Sequence, residues 1–154
     1  MFLRCCREVA ERYSDIEYKE LIVDNAAMQL VMRPETFDVL LLPNLYGDIV
    51  SDLAAGLVGG LGLAPGANVG QDTAVLEAVH GSAPDIAGRG IANPTALMFS
   101  AVLMLGHVGE KEAAIRLRSA IEGVYTDGTD LPQDGGGSAT TAQFTDAICR
   151  RLRG

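Results

Sequence analysis

Phe2, Cys5, Cys6, Val9 and Ala10 recur at helical spacing among charged residues, which predicts an amphipathic helix over residues 1–13. "IEYKELIV" (Ile16 to Val23) reads as a strand, and "DNAAMQLVM" (Asp24 to Met32) as a short helix with Asp24 near its start. The unbroken apolar run "FDVLLLP" (Phe37 to Pro43) predicts a buried strand. A helix follows from about Tyr46 to Val58. Ile49, Val50, Leu53 and Leu57 can pack from it, while Asp48 and Asp52 share another face.

Glycine then breaks the pattern: "GGLGLAPGANVG" (Gly59 to Gly70) reads as loop or hinge. "TAVLEAV" (Thr73 to Val79) predicts a strand, and "HGSAPDIAGRGIANP" (His80 to Pro94) a long irregular loop of the kind that usually carries function. Pro94 is placed to open an apolar helix to about Leu105. A second helix runs from Glu110 to Gly128. After the flexible "DLPQDGGGSAT", a terminal helix covers Thr141 to Arg153, with Thr141 as its cap. There is no internal repeat. The alternation of elements favours an α/β layered architecture with a mostly parallel or mixed sheet.

Composition narrows the function more than the fold. The 154 residues suffice for one ordinary domain or two small lobes, and 48% are apolar. A formal net charge of -8 repels phosphate backbones, and no basic stripe interleaves with aromatics, so nucleic acid is not an expected partner. Cys5, Cys6 and Cys149 form neither a disulfide framework nor a zinc motif. The longest apolar run, "ALMFSAVLML", is too short to span a bilayer, and the first residues lack the apolar stretch of a signal peptide. No membrane is expected as a partner, and the location expected is the bacterial cytoplasm or, in a eukaryote, the mitochondrial matrix.

Two stretches carry candidate chemistry. Asp48 and Asp52, four residues apart, project carboxylates from one helical face and could form a partial shell for Mg²⁺ or Mn²⁺. The spacing alone better suits a solvated pair near a helix start. Asp24 is a third carboxylate, which could as well be a cap. His80, Gly81, Ser82 and Ala83 follow a predicted strand, where exposed N–H groups and glycine suit a nucleotide. Asp85 could accept from ribose hydroxyls or simply make a turn. No GxGxxG occurs, so a standard Rossmann site is not supported. No Ser-His-Asp arrangement stands out.

Together, "NLYGDIVSDLAAGLVGGLGLAPGANVG" and "EAVHGSAPDIAGRGIANPTAL" resemble the metal-dependent β-decarboxylating dehydrogenases, the isocitrate/isopropylmalate dehydrogenase family. The likeness extends from "FLRCCREVA" to "DGGGSATTAQFTDAICRRL", and the glycine-rich stretch is most similar to NAD-dependent isocitrate or homoisocitrate enzymes. The resemblance implies a three-layer α/β sandwich that is not a standard Rossmann fold. Residues 1–58 would belong to a small dimer-forming lobe, and 59–154 to the C-terminal part of a large cofactor-binding lobe.

The resemblance also implies site residues. Asp24, Asp48 and Asp52 match the aspartates that hold Mg²⁺ or Mn²⁺, with Asp24 serving the site of the partner in a homo-oligomer that is at least a dimer. The metal would chelate the hydroxyl and carboxylate of a 2-hydroxy acid, then polarise the new carbonyl and hold the enolate left by CO₂ loss. His80, Gly81, Ser82 and Ala83 would line the adenosine side of NAD, with Asn93 near adenine. Asp85 would bond the ribose 2′-hydroxyl and repel a 2′-phosphate, which selects NAD over NADP.

The family's upstream segment, with its arginine clamp and its proton-transferring tyrosine and lysine, has no counterpart after Met1, so no catalytic residue is assigned. The expected activity is oxidative decarboxylation of isocitrate to 2-oxoglutarate as part of a longer enzyme, the 154 residues alone being inactive. Homoisocitrate and 3-isopropylmalate are the alternative substrates, and a non-catalytic binding or assembly subunit is the alternative of another class.

Overall fold

The computed structural model describes all 154 residues, which fall into two compact units, Met1–Leu57 and Val58–Gly154. The first unit holds three helices: α1 (Phe2–Ala10), α2 (Val23–Met32) and α3 (Asn44–Leu57). Helix α2 packs against α3, and the buried side chains of this unit are Ala26 and Leu30 of α2 and Val50 and Ala55 of α3. No residue of α1 is buried, although its apolar spacing is helical as expected. Outside the helices, the Arg7 guanidinium grips both carboxylate oxygens of Glu20 at 2.6 Å, and the Tyr18 hydroxyl donates to Glu20 at 2.8 Å. This clamp ties the extended segment before α2 to α1.

Two expected strands are absent from this unit. Ile16 to Ile22 is extended at its end but pairs with nothing, and Val23 already belongs to α2. Phe37 to Pro43 is likewise unpaired, and none of its apolar side chains is buried, Val39 being 84% and Leu41 69% exposed. Apolar content signals burial only where a partner face exists, and within this chain none lies against the segment.

In the second unit a hairpin of β1 (Pro65–Val69) and β2 (Ala74–Ala78) runs antiparallel, in the register Pro65 opposite Ala78. This corrects two expectations: Pro65–Val69 is strand rather than loop, and the sheet is antiparallel rather than parallel or mixed. "PGANV" has almost no β-branched content to announce a strand. Gly66 matters to the pairing, since a Cβ there would sit 3.3 Å from the Glu77 carbonyl oxygen. Gly59 and Gly60 precede the hairpin at φ of +115° and +116°, a region open to glycine and hostile to other residues.

The hairpin lies on α4 (Thr95–His107), followed by α5 (Lys111–Asp127) and α6 (Thr141–Arg153). Buried Ser100 fastens α4 to the hairpin by donating to the Glu77 carbonyl at 2.6 Å. The core is helical: Val102, Ala114, Ala120, Ile121, Val124, Phe144, Ala147 and Ile148. Gly128 ends α5 in the left-handed conformation at φ 70°. Pro94 precedes α4 as its cap rather than occupying the first turn. The cap of α6 is Thr140, not Thr141. Its hydroxyl accepts from the Gln143 N–H at 3.2 Å, and the Gln143 side chain accepts from the Thr140 N–H at 2.8 Å.

Candidate functional site

The acidic positions of the first unit sit on two helices. Asp48 and Asp52 lie one turn apart on α3, both exposed. Neither carboxylate takes part in an ion pair or a side-chain hydrogen bond, so both keep their full acceptor capacity. Asp24 is the second residue of α2, also exposed, and one of its oxygens accepts from the Asn25 N–H at 2.6 Å. Hard divalent cations favour such oxygen donors, and the pair at one-turn spacing fits Mg²⁺ or Mn²⁺ as a partial shell. The chain by itself brings no three His, Cys, Asp or Glu side chains together to hold a metal. The two α3 carboxylates therefore need donors from elsewhere to complete a coordination sphere.

The second unit carries the other candidate, the loop between β2 and α4. His80, Gly81, Ser82, Ala83 and Asp85 are all exposed. The His80 Nδ1 lies 3.0 Å from the Gly81 carbonyl oxygen, which accepts when that nitrogen carries the proton. Ala83 has φ 38°, the one positive value outside glycine in the chain. Such backbone is uncommon for a residue with a Cβ and costs on the order of 1 kcal/mol or more. It caps a single helical turn, Pro84–Ile86, that carries Asp85 outward. Gly88 and Gly90, at φ 74° and 63°, then reverse the chain.

The end of this loop is stitched down. The Thr141 N–H donates to the Gly90 carbonyl at 2.8 Å, and the Thr141 hydroxyl to the Ala92 carbonyl at 2.5 Å. Asn93, half-buried, bonds to Thr95, Tyr125 and Asp134. The sequence reading did not single out Tyr125, Asp134 or Thr95. "ANPT" held one usable signal, because Asn before Pro starts a turn with its own side chain as acceptor. Asp134 had none, lying 41 positions from its partner in a glycine-rich stretch.

Comparison with known proteins places the whole chain in one family. The isocitrate/isopropylmalate dehydrogenase family model matches residues 1–148. The chain belongs to the isocitrate/isopropylmalate dehydrogenase family. It is 58% identical over 153 residues to the mitochondrial isocitrate dehydrogenase (NAD) catalytic subunit 5 of Arabidopsis thaliana, covering 99% of this chain and 41% of that protein. It is also 58% identical over 153 residues to the isocitrate/homoisocitrate dehydrogenase of Thermus thermophilus, covering 99% of this chain and 46% of the relative. In structure it superposes on the isocitrate dehydrogenase of Methylococcus capsulatus with a TM-score of 0.94 and 52% identity, over 99% of this chain and 46% of the other. The chain thus spans less than half the length of these relatives. The α/β fold is that of isocitrate/isopropylmalate dehydrogenases, and the antiparallel hairpin on α4 is part of it.

Proposed function

We propose that this chain is part of an NAD-dependent dehydrogenase that oxidises isocitrate and decarboxylates it to 2-oxoglutarate, with Mg²⁺ or Mn²⁺ as cofactor. The reading rests above all on the Asp48–Asp52 pair, two unpartnered carboxylates one turn apart on α3 in a chain of this family. The residues fit the metal: Asp48 and Asp52 would hold it, and Asp24 would supply a further carboxylate to the site of a second copy in a homo-oligomer. When bound, the metal supplies Lewis acidity at the substrate's hydroxyl oxygen and at the carbonyl that replaces it. In the overall change, a hydride leaves the carbinol carbon for the nicotinamide, the hydroxyl gives up its proton, the β-carboxylate departs as CO₂, and the carbon it leaves takes up a proton, so that no net proton is released.

The chain's own residues bind and orient in this scheme. His80, Gly81, Ser82 and Ala83 would form the adenosine side of the NAD site, with Asn93 beside the adenine. The left-handed Ala83 turns the chain so that Asp85 stands clear of the loop, free to accept from a ribose hydroxyl. Its charge would repel a 2′-phosphate, which selects NAD. Residues 1–58 would form part of the dimerising lobe, and residues 59–154 part of the cofactor lobe. The Arabidopsis relative is named as mitochondrial, so the matrix or a bacterial cytoplasm is the compartment proposed. No helix is long and apolar enough to cross a membrane.

Homoisocitrate is the second reading, because the Thermus relative at equal identity is named for both acids. One experiment separates the readings. The complete gene product is assayed with isocitrate, homoisocitrate and 3-isopropylmalate, each with NAD and with NADP, in Mn²⁺. NADH formation highest with isocitrate supports the proposal. Preference for another acid moves the substrate assignment. No turnover with any of the three overturns the enzymatic reading in favour of a binding subunit.

A further inference from the structure

The carboxamide of Asn93 has no hydrogen-bonding capacity left over. Its Oδ1 accepts from the Thr95 N–H at 3.0 Å and from the Thr95 hydroxyl at 2.6 Å. Its Nδ2 donates to the Tyr125 hydroxyl oxygen at 3.2 Å and to the Asp134 carboxylate, whose two oxygens both lie at 3.1 Å. Two acceptor sites and two N–H groups are the whole inventory of an Asn side chain. The opposite amide orientation would set Nδ2 against the Thr95 N–H, donor to donor, so the network fixes which way the group points.

The partners close a ring. Because the Thr95 hydroxyl proton goes to Asn93, the 2.8 Å contact between Thr95 Oγ1 and the Tyr125 hydroxyl is donated by Tyr125. Tyr125 in turn accepts from Asn93, so each bond polarises the next. Thr95 is fully buried, and Tyr125 meets the buried Phe144 ring edge-on at 5.5 Å. Only Asp134 stands at the exposed end. Gly62 comes against the same cluster: a Cβ there would lie 3.3 Å from an Asp134 carboxylate oxygen and 3.7 Å from Asn93 Cβ.

We propose that Asp134 is a positioning residue for the nucleotide loop. It holds the second N–H of Asn93, and through Asn93 it sets the arm that joins Asp85 to α4. The inference rests on the reading of that loop as the NAD site. It makes the Asn93 side chain a structural strut whose polar groups are spent within the protein. Loss of Asp134 removes one tie of the arm and loosens its Asn93 end, while the Thr141 bonds to Gly90 and Ala92 and the buried Thr95–Tyr125–Phe144 part stay in place. The expected defect is therefore in NAD binding, not in the substrate or metal steps.

The test compares Asp134→Ala, Asp134→Asn and Asp134→Leu in the complete gene product. Asp134→Ala is expected to raise the KM for NAD about three- to tenfold, with kcat at saturating NAD and the KM for isocitrate changed less than about twofold. Asp134→Asn, which keeps an acceptor for the Asn93 amide, is expected to restore the KM for NAD to near the parent value. An unchanged KM for NAD in Asp134→Ala overturns the inference, as does an equal defect in the Asn variant, which would assign the effect to charge. If the Ala variant does not fold, Asp134→Leu decides, since it fills the space of the carboxylate without offering an acceptor: it must raise the KM for NAD selectively, and no change overturns the proposal. A parent enzyme that reduces no NAD with any of the three acids defeats the underlying reading and this inference with it, whereas an active parent with an indifferent Asp134 defeats the inference alone.

Discussion

Thr141, the first residue of α6, holds the Ala92 carbonyl with its hydroxyl at 2.5 Å across 49 positions of the chain. Its main-chain N–H holds Gly90 at the same time. The neighbouring Thr140 does the capping of α6, so two adjacent threonines divide two tasks. Thr141→Val keeps the shape and removes the hydroxyl donor, with an expected loss of about 1 kcal/mol. Thr140→Ala removes a cap, also costing about 1 kcal/mol. Urea unfolding measures both losses. Limited proteolysis separates them, since only Thr141→Val is expected to speed cleavage between His80 and Pro94. Equal protection in the two variants would contradict the division.

Asp85 stands exposed on its single helical turn with no partner in the chain. Asp85→Lys is expected to raise the KM for NAD at least about tenfold, since it removes a charged acceptor, and to lower the KM for NADP by placing a cation near the 2′-phosphate. Initial rates with both dinucleotides check this. A variant that keeps the parent preference for NAD would remove Asp85 from the ribose site.

The Arg7–Glu20–Tyr18 clamp gives a pH dependence whose sign follows from its geometry. Hydrogen bonding from Arg7, then from Tyr18, holds the Glu20 carboxyl below the usual glutamate range. The folded state thus prefers the ionised form, and the stabilisation is present above the unfolded pKa and lost as pH falls through the depressed folded one. Hydrogen bonding to Glu20 pushes Arg7 further up, so it stays charged throughout that window. Glu20→Gln is expected to abolish the acid-side loosening of residues 12–22 and to lower protection there at neutral pH. Hydrogen exchange compared at neutral pH and at a pH below the ordinary glutamate range reads this directly. Because the clamp is solvent-exposed, raising the salt concentration should shrink the effect.

The legible parts of the chain were those whose pattern is local. The helices declare themselves through spacing such as Ile121 and Val124 on α5 or Phe144, Ala147 and Ile148 on α6, which the core then buries. The acidic pair on α3 was visible because four-residue spacing fixes a shared helical face. The misread parts depend on partners distant in sequence. Val39 and Leu41 look like a buried strand, yet nothing in this chain pairs with them. Gly66 and Asn68 look like loop, yet β2 supplies the register that makes them a strand. Asp134 looks like one more turn residue until Asn93 is seen beside it. On the proposed reading Asp24 is a further case, since the metal it would serve lies in a second copy and no spacing within one chain encodes that partner.

The most direct measurement is the divalent-metal dependence of NADH formation from isocitrate by the complete gene product, before and after chelation, in the parent and in Asp48→Asn and Asp52→Asn. Chelation is expected to abolish the rate and Mn²⁺ to restore it. Each substitution is expected to lower kcat/KM on the order of a hundredfold, equivalent to about 2.7 kcal/mol of transition-state stabilisation. A rate that survives both chelation and the two substitutions would contradict the assignment of these carboxylates to the metal.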